Sequence, residues 1–172
     1  MPITDYSLYN GPGFEGEIVT SEPTLIRGTF EEYRNGDSVR LPFGRAVRRH
    51  TDGTIRALTT SATTGFGVTV RVNTYEAAED GTTGIPPTET VTLLKKGPIF
   101  MIAEVAINHL TDSVFFRFDA QTTPGAFDAV GRVRNNVNND GAAHAIAAPT
   151  GCRFLASAAA GALVPVYVDF GG

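Results

Sequence analysis

The sequence predicts an all-β protein. Three observations carry this reading. The chain of 172 residues holds 19 glycines and 10 prolines, a density that suits many short strands joined by turns better than a helical protein. Apolar and polar residues alternate in short segments, most clearly over residues 65–72 and 163–170, which is the period of a half-buried strand. Turn signals recur at about the 8–12-residue spacing of sandwiches and barrels.

The stretch that organises the rest is residues 89–107, which divides at Gly97-Pro98. Before that pair, residues 91–95 form a short apolar-rich segment. After it, residues 99–107 are apolar at every position except Glu104. The β-branched Ile99, Ile102, Val105 and Ile107, with Phe100, favour a strand buried on both faces. Gly97-Pro98 is expected to bend the chain between two core strands.

Taken in order, residues 1–23 are polar, with Gly11-Pro12-Gly13 and Gly16 spaced through them. They read as an extended N-terminal arm containing a short strand at 17–20; residues 24–172 read as the body. Residues 25–30 form a strand or an extended link, and Asn35-Gly36-Asp37 is a turn. Val39, Leu41 and Phe43 are expected on one face of a strand, with Pro42 at an edge or bulge. Thr51-Asp52-Gly53 is a turn and 55–58 a strand. Residues 65–72 are a strand with Phe66, Val68, Val70 and Val72 on one face, and Gly65-Phe66-Gly67 marks a bulge or a close backbone approach. Residues 73–88 form a long polar loop. Strands follow at 113–118, 130–134 and 153–157, with an Ala-rich segment at 142–148 around His144. The last strand, 163–170, sets Val164, Val166, Val168 and Phe170 on one face.

Composition excludes several functions. Net charge is -4 and only 19% of residues are charged, whereas a nucleic-acid partner needs a clustered basic face. The basic cluster Arg45, Arg48, Arg49 and His50 reads as a solvated turn rather than a phosphate site. Cys152 is the single cysteine, so no intrachain disulfide is expected, and it reads as a small buried hydrophobe. There is no basic-then-apolar leader and no apolar run near the roughly 20 residues of a membrane span. A soluble protein made in a reducing cytoplasm, with no membrane partner, is the expectation.

The sequence offers no catalytic constellation. His50, His109 and His144 stand in unrelated segments, with no His or Cys at metal-ligand spacing. No Gly-x-Ser-x-Gly is present. Glu76, Glu79 and Asp80, or Asn135, Asn136, Asn138, Asn139 and Asp140, could offer oxygens to calcium, but neither group matches a twelve-residue calcium loop. Both read as solvated turns. With no tryptophan, a sugar-binding or base-stacking platform has no support. No catalytic, cofactor-binding or metal residue is therefore assigned, and the protein is not expected to be an enzyme.

One ordered set of segments goes further. It comprises the arm with Gly16, then 41–47 (Leu-Pro-Phe-Gly-Arg-Ala-Val), 65–71 (Gly-Phe-Gly-Val-Thr-Val-Arg) and 91–97 (Val-Thr-Leu-Leu-Lys-Lys-Gly) before an apolar strand. Next come 112–117 (Asp-Ser-Val-Phe-Phe-Arg), 124–127 (Pro-Gly-Ala-Phe) and 152–161 (Cys-Arg-Phe-Leu-Ala-Ser-Ala-Ala-Ala-Gly) before a final strand. Over residues 14–170 this order resembles the structural cement proteins of tailed bacteriophages. The resemblance implies a single-domain jelly-roll or barrel-like β body on the outside of a capsid shell. It implies the major capsid protein as partner and assembly as a homotrimer, with a dimer as runner-up, and it transfers no catalytic residue. Other virion parts, such as a head–tail connector or tail component, and a small β-barrel ligand-binding protein are the competing readings.

Overall fold

The computed structural model describes residues 14–19, 28–59, 65–72, 83–119, 125–137 and 143–171. They contain ten strands and no helix: β1 (Thr29–Arg34), β2 (Ala46–Arg49), β3 (Ile55–Ala57), β4 (Gly67–Thr69), β5 (Thr90–Ile102), β6 (Phe115–Arg117), β7 (Val133–Arg134), β8 (Ala145–Ala147), β9 (Arg153–Phe154) and β10 (Leu163–Asp169). The fold is all-β, as expected. Seven strands form one antiparallel sheet in the order β3-β2-β4-β5-β10-β9, with β1 also on β5; the other three form a sheet in the order β7-β6-β8. Among the described residues no helix is long and apolar enough to cross a membrane.

β5 is the axis. Gly97-Pro98 does not divide it, contrary to the sequence expectation: one strand of 13 residues runs through the pair and ends at Ile102. Two local facts explain this. Gly97 takes φ +134°, and a Cβ there would lie 3.1 Å from the Cα of Gly28, so only glycine fits without strain. Pro98 uses its carbonyl, not the N–H it lacks: Val19 N–H donates to Pro98 O at 3.2 Å. Next to it, Phe100 donates to Glu17 O (2.9 Å) and accepts from Gly16 N–H (2.8 Å). Pro98 thus keeps one bond of its pair with Val19 through the carbonyl and forgoes only the one its missing N–H would donate.

The flanks of β5 are filled twice over. Leu94 pairs with Phe30 of β1 and with Val68 of β4, so these two strands lie on opposite sides. Farther along, β10 pairs from Lys96 to Ile102, and residues 16–19 occupy the other side through the Ile18–Ile99 bridge. β1 and β10 thus stand end to end along one flank, and β4 and the N-terminal segment along the other.

Two hydrophobic clusters result. The larger contains Leu94, Ile99, Met101, Phe116, Val164 and Val166 among others. The smaller contains Leu41, Phe43, Val47, Ile55, Ile85, Val91 and Leu93. β5 contributes to both, Val91 and Leu93 to one and Leu94, Ile99 and Met101 to the other. In β10 the alternation is as expected, with Val164, Val166 and Val168 fully buried.

Three local expectations change. Val39 is 64% exposed while Leu41 and Phe43 are buried, because residues 37–39 form a bend rather than a strand and the chain enters the body only at Leu41, which bridges Ile85. In β4, Val68 and Val70 join the larger cluster but Phe66 and Val72 pack on the smaller. The regular strand covers only Gly67–Thr69, so strict alternation does not extend to Phe66 and Val72 on either side of it. The long loop is anchored at its end: Ile85 is fully buried and bridges Leu41, with N–H···O bonds of 3.0 and 2.8 Å in the two directions. Residues 1–13 and 20–23 of the expected arm, residues 24–27 of the expected body, and 73–82 of that loop lie outside the described residues.

Ile99, fully buried in the larger cluster, and Leu110, 81% exposed, make a matched test. Ile99→Ala is expected to lower the unfolding free energy measured in urea by about 2–5 kcal/mol. Leu110→Ala is expected to leave it within about 0.5 kcal/mol.

Candidate functional site

Two charged assemblies and one open edge define what the described surface can do. The first assembly ties the two sheets together. Glu104, just past the end of β5, is fully buried. Its Oε1 lies 2.6 Å from Arg117 Nε in β6 and its Oε2 3.2 Å from an Arg134 guanidinium nitrogen in β7. Arg117 also meets Asp128 at 2.9 Å and donates to Asp119 O at 3.1 Å. Ala129 N–H donates to Glu104 at 3.1 Å. Two carboxylates face two guanidiniums, so buried charge is balanced and hydrogen-bonded, the condition under which it is tolerated.

The second assembly fastens residues 14–19 to the body. Glu15 Oε1 lies 3.0 Å from Arg45 Nε and 3.8 Å from Arg132 Nε. Burial raises the Glu15 carboxyl above its ordinary value, opposed by Arg45 and then Arg132. Burial also lowers the Arg45 guanidinium to about 10, opposed by Glu15. Beside this pair Gly16 and Gly44 approach so closely that a Cβ on Gly16 would lie 2.6 Å from Gly44 N. The Arg71 guanidinium sits over the Phe14 ring at 4.7 Å and the Phe43 ring at 5.4 Å, in cation–π contact with both.

The open edge is β1. Its residues are half-buried or exposed, and Phe30 is 47% exposed. An open depression beside it is lined by Glu32, Tyr33, Arg34, Thr90 and the turn Asp52–Thr54.

The residues weighed in the sequence are scattered and already engaged. His50 Nδ1 lies 3.1 Å from Asp52, His109 Nδ1 2.9 Å from Ser157 Oγ, and His144 Nδ1 3.5 Å from Asp119. Among the described residues no three His, Cys, Asp or Glu are grouped to hold a metal. Burial raises the Cys152 thiol, the reverse of activation, and its sulfur accepts Asp169 N–H at 3.3 Å. The cluster at 45–50 is not a solvated turn. Arg45 is buried, Arg48 donates to Ala57 O, and the Arg49 guanidinium covers the Tyr33 and Phe66 rings; β2 turns successive side chains to opposite faces, so the charges separate. Asn135 is held by Asp112 (2.9 Å) and Asn136 accepts from Arg134. Asn138, Asn139, Asp140, Glu76, Glu79 and Asp80 lie outside the described residues.

Among the described residues the arrangement offers strand edges and faces for binding. Residues 1–169 match the family model described as Structural cement protein (E217 gp24/Pam3 gp6). The chain belongs to this family of phage structural cement proteins. Its role is that of a capsid cement or decoration protein. A chain of the solved structure "The capsid of Myoviridae Phage XM1" has the same fold, with a TM-score of 0.62 at 20% identity, covering 97% of this chain and 98% of that one. No curated protein matches the chain.

For a cement protein the buried charges are what hold the shape of the binding body. Sequence reasoning singled out Glu104 as the lone polar residue of an apolar run, but not its partners Arg117, Arg134 and Asp128. The signal was present, since a carboxylate inside a core demands a cation. What was missing was the pairing of β6 and β7 that delivers the cations. Glu15 gave no comparable signal within a polar segment.

Glu104→Gln leaves two buried guanidiniums without their shared carboxylate and is expected to lower stability by about 3–5 kcal/mol in urea titrations. Acid should act on three hydrogen-bonded aspartates. Hydrogen bonds hold Asp52 (from Thr54), Asp112 (from Asn108 N–H) and Asp169 (from Lys96) below their ordinary value of 3.8. Their contribution is present above that value and lost as pH falls through the lower folded values. The urea midpoint is expected to drop on going from about pH 5 to about pH 2, and to drop less in Asp112→Asn.

Proposed function

We propose that this cement protein sits on the outer surface of the phage head, where it bridges copies of the major capsid protein and strengthens the shell against internal DNA pressure. It acts as a homo-oligomer, a trimer in the first instance and a dimer otherwise, made in the host cytoplasm before joining the virion. The observation that carries this reading is the family match over residues 1–169. Closed symmetry supports it: several modest contacts held in one oligomer bind a repeating shell with avidity. The weakly acidic, charge-poor composition supports protein rather than nucleic acid as partner, and no catalytic, cofactor or metal role is assigned.

Residues 1–23 are proposed as an arm that reaches the shell, the body being 24–172. The cut that tests it must respect the geometry of residues 14–19. Glu15 and Val19 are engaged with the body and Val19 is 2% exposed, so removal of all 23 residues would confound binding with folding.

Light scattering on the purified protein and protein quantitation of intact particles test the whole reading. A compact trimer in solution and about one copy per capsid subunit are expected. A single ring's worth of copies would instead indicate a connector. Deleting residues 1–13 is expected to weaken attachment to heads at unchanged melting temperature; equal attachment would remove the arm from the mechanism.

A further inference from the structure

The strand edges of this protein are not equally available. β3, at one end of the large sheet, is capped: Gly36 N–H donates to Ile55 O at 2.9 Å and the Asp37 carboxylate accepts Ala57 N–H at 2.7 Å. β7 is covered by the chain leaving β5, with Glu104 N–H donating to Val133 O at 2.9 Å. The edge of β8 is met by Val137 O, which accepts Ala145 N–H at 3.1 Å. β9 spans two residues only. Capping, covering and shortening are the usual defences against unwanted pairing.

β1 lacks them. Its inner side is fixed by the register on β5, with Glu31 opposite Leu93 and Tyr33 opposite Val91. Thr92 spends its carbonyl on Val70 N–H, on the β4 side. Leu93 and Val91 therefore turn their backbone groups toward β1, and Glu31 and Tyr33 answer them. The N–H and C=O groups of Phe30 and Glu32 and the N–H of Arg34 point the other way, and among the described residues no main-chain partner meets them, while the Arg34 carbonyl end of the edge is closed by the parallel bridge between Asn35 and Ile55. The open stretch, residues 29–33, is about 17 Å long, with the exposed Phe30 ring near one end.

The charges on this edge select its partner. Glu31 and Glu32 stand at its centre. Two copies meeting antiparallel through these outward groups in centred register would set Glu32 against Glu32, or Glu31 against Glu31, of the second copy, and like charges directly opposed across a strand pair are unfavourable. A basic strand is complementary. We propose that the outer edge of β1 captures an extended segment of the capsid protein by strand addition, with a lysine or arginine of that segment facing Glu32 and an apolar residue packing on Phe30. Main-chain hydrogen bonds would supply binding and these two side chains its register. The inference rests on the capsid-binding role proposed above and names the surface that performs it.

The test uses the full-length protein and purified phage heads lacking it. Hydrogen exchange is measured on free and head-bound protein, alongside co-sedimentation of wild type, Glu32→Pro and Glu32→Lys. Proline removes the outward N–H of residue 32 without touching the β5 ladder. On binding, the amides of Phe30, Glu32 and Arg34 are expected to exchange at least about tenfold more slowly. Glu32→Pro and Glu32→Lys are each expected to weaken co-sedimentation by about tenfold or more at unchanged melting temperature. Wild-type protein that ignores the heads would overturn the capsid-binding reading itself. Wild type that binds heads while those three amides stay unprotected would overturn the edge alone, even if Glu32→Pro failed to fold. Protection of the same amides in free protein, with self-association, would make a second copy the occupant and overturn the choice of partner.

Discussion

Everything in this structure depends on β5 serving two cores at once. Val91 and Leu93 complete one hydrophobic cluster; Leu94, Ile99 and Met101 build the other. A strand that must be buried along most of its length cannot be an edge, so it needs partners along both flanks. Among the described residues no other strand is long enough. Two short elements placed end to end on each side solve the problem: β1 then β10, and β4 then residues 16–19. Gly97, at φ +134°, is the position where this 13-residue strand adjusts between its two duties.

The buried ion groups occupy the seams of the same construction. Glu104 stands just beyond β5 and holds Arg117 and Arg134 of the small sheet. Glu15 stands beside the flank of β5 and holds Arg45 at the start of β2. Apolar packing is tolerant of direction, whereas charge pairs with hydrogen bonds fix orientation. In each case the ions sit where two pieces of backbone that are distant in sequence must meet at one angle.

How much of this was legible in the residues depended on whether a feature was local. The alternation of Val164, Val166 and Val168 named β10 because one flank of that strand faces one core. The turns at Asn35-Gly36-Asp37 and Thr51-Asp52-Gly53 were visible because Asn35 Oδ1 and Asp52 Oδ1 bond backbone N–H groups two residues on, a chemistry confined to a few neighbouring residues. The break at Gly97-Pro98 was misread because proline's cost depends on which side its nitrogen faces, and that is set by residues 17–19, some eighty positions earlier. Arg45, read as a surface charge, is buried because Glu15 reaches it, again a non-local fact. The ordered set of weak motifs supplied the family, which no single residue could.

The flanking of β5 also sets the order in which this protein can become itself. The second half of β5 is met by residues 16–19 on one flank and by β10 on the other. A growing chain that has just released β5 holds a long apolar strand with one flank half empty. That flank is filled only by residues made some sixty positions later. Such non-local closure slows folding and leaves the strand open to other edges until it is complete. The same property divides the life of the chain into two stages: an early one in which exposed backbone must be shielded, and a late one in which β5 is flanked on both sides.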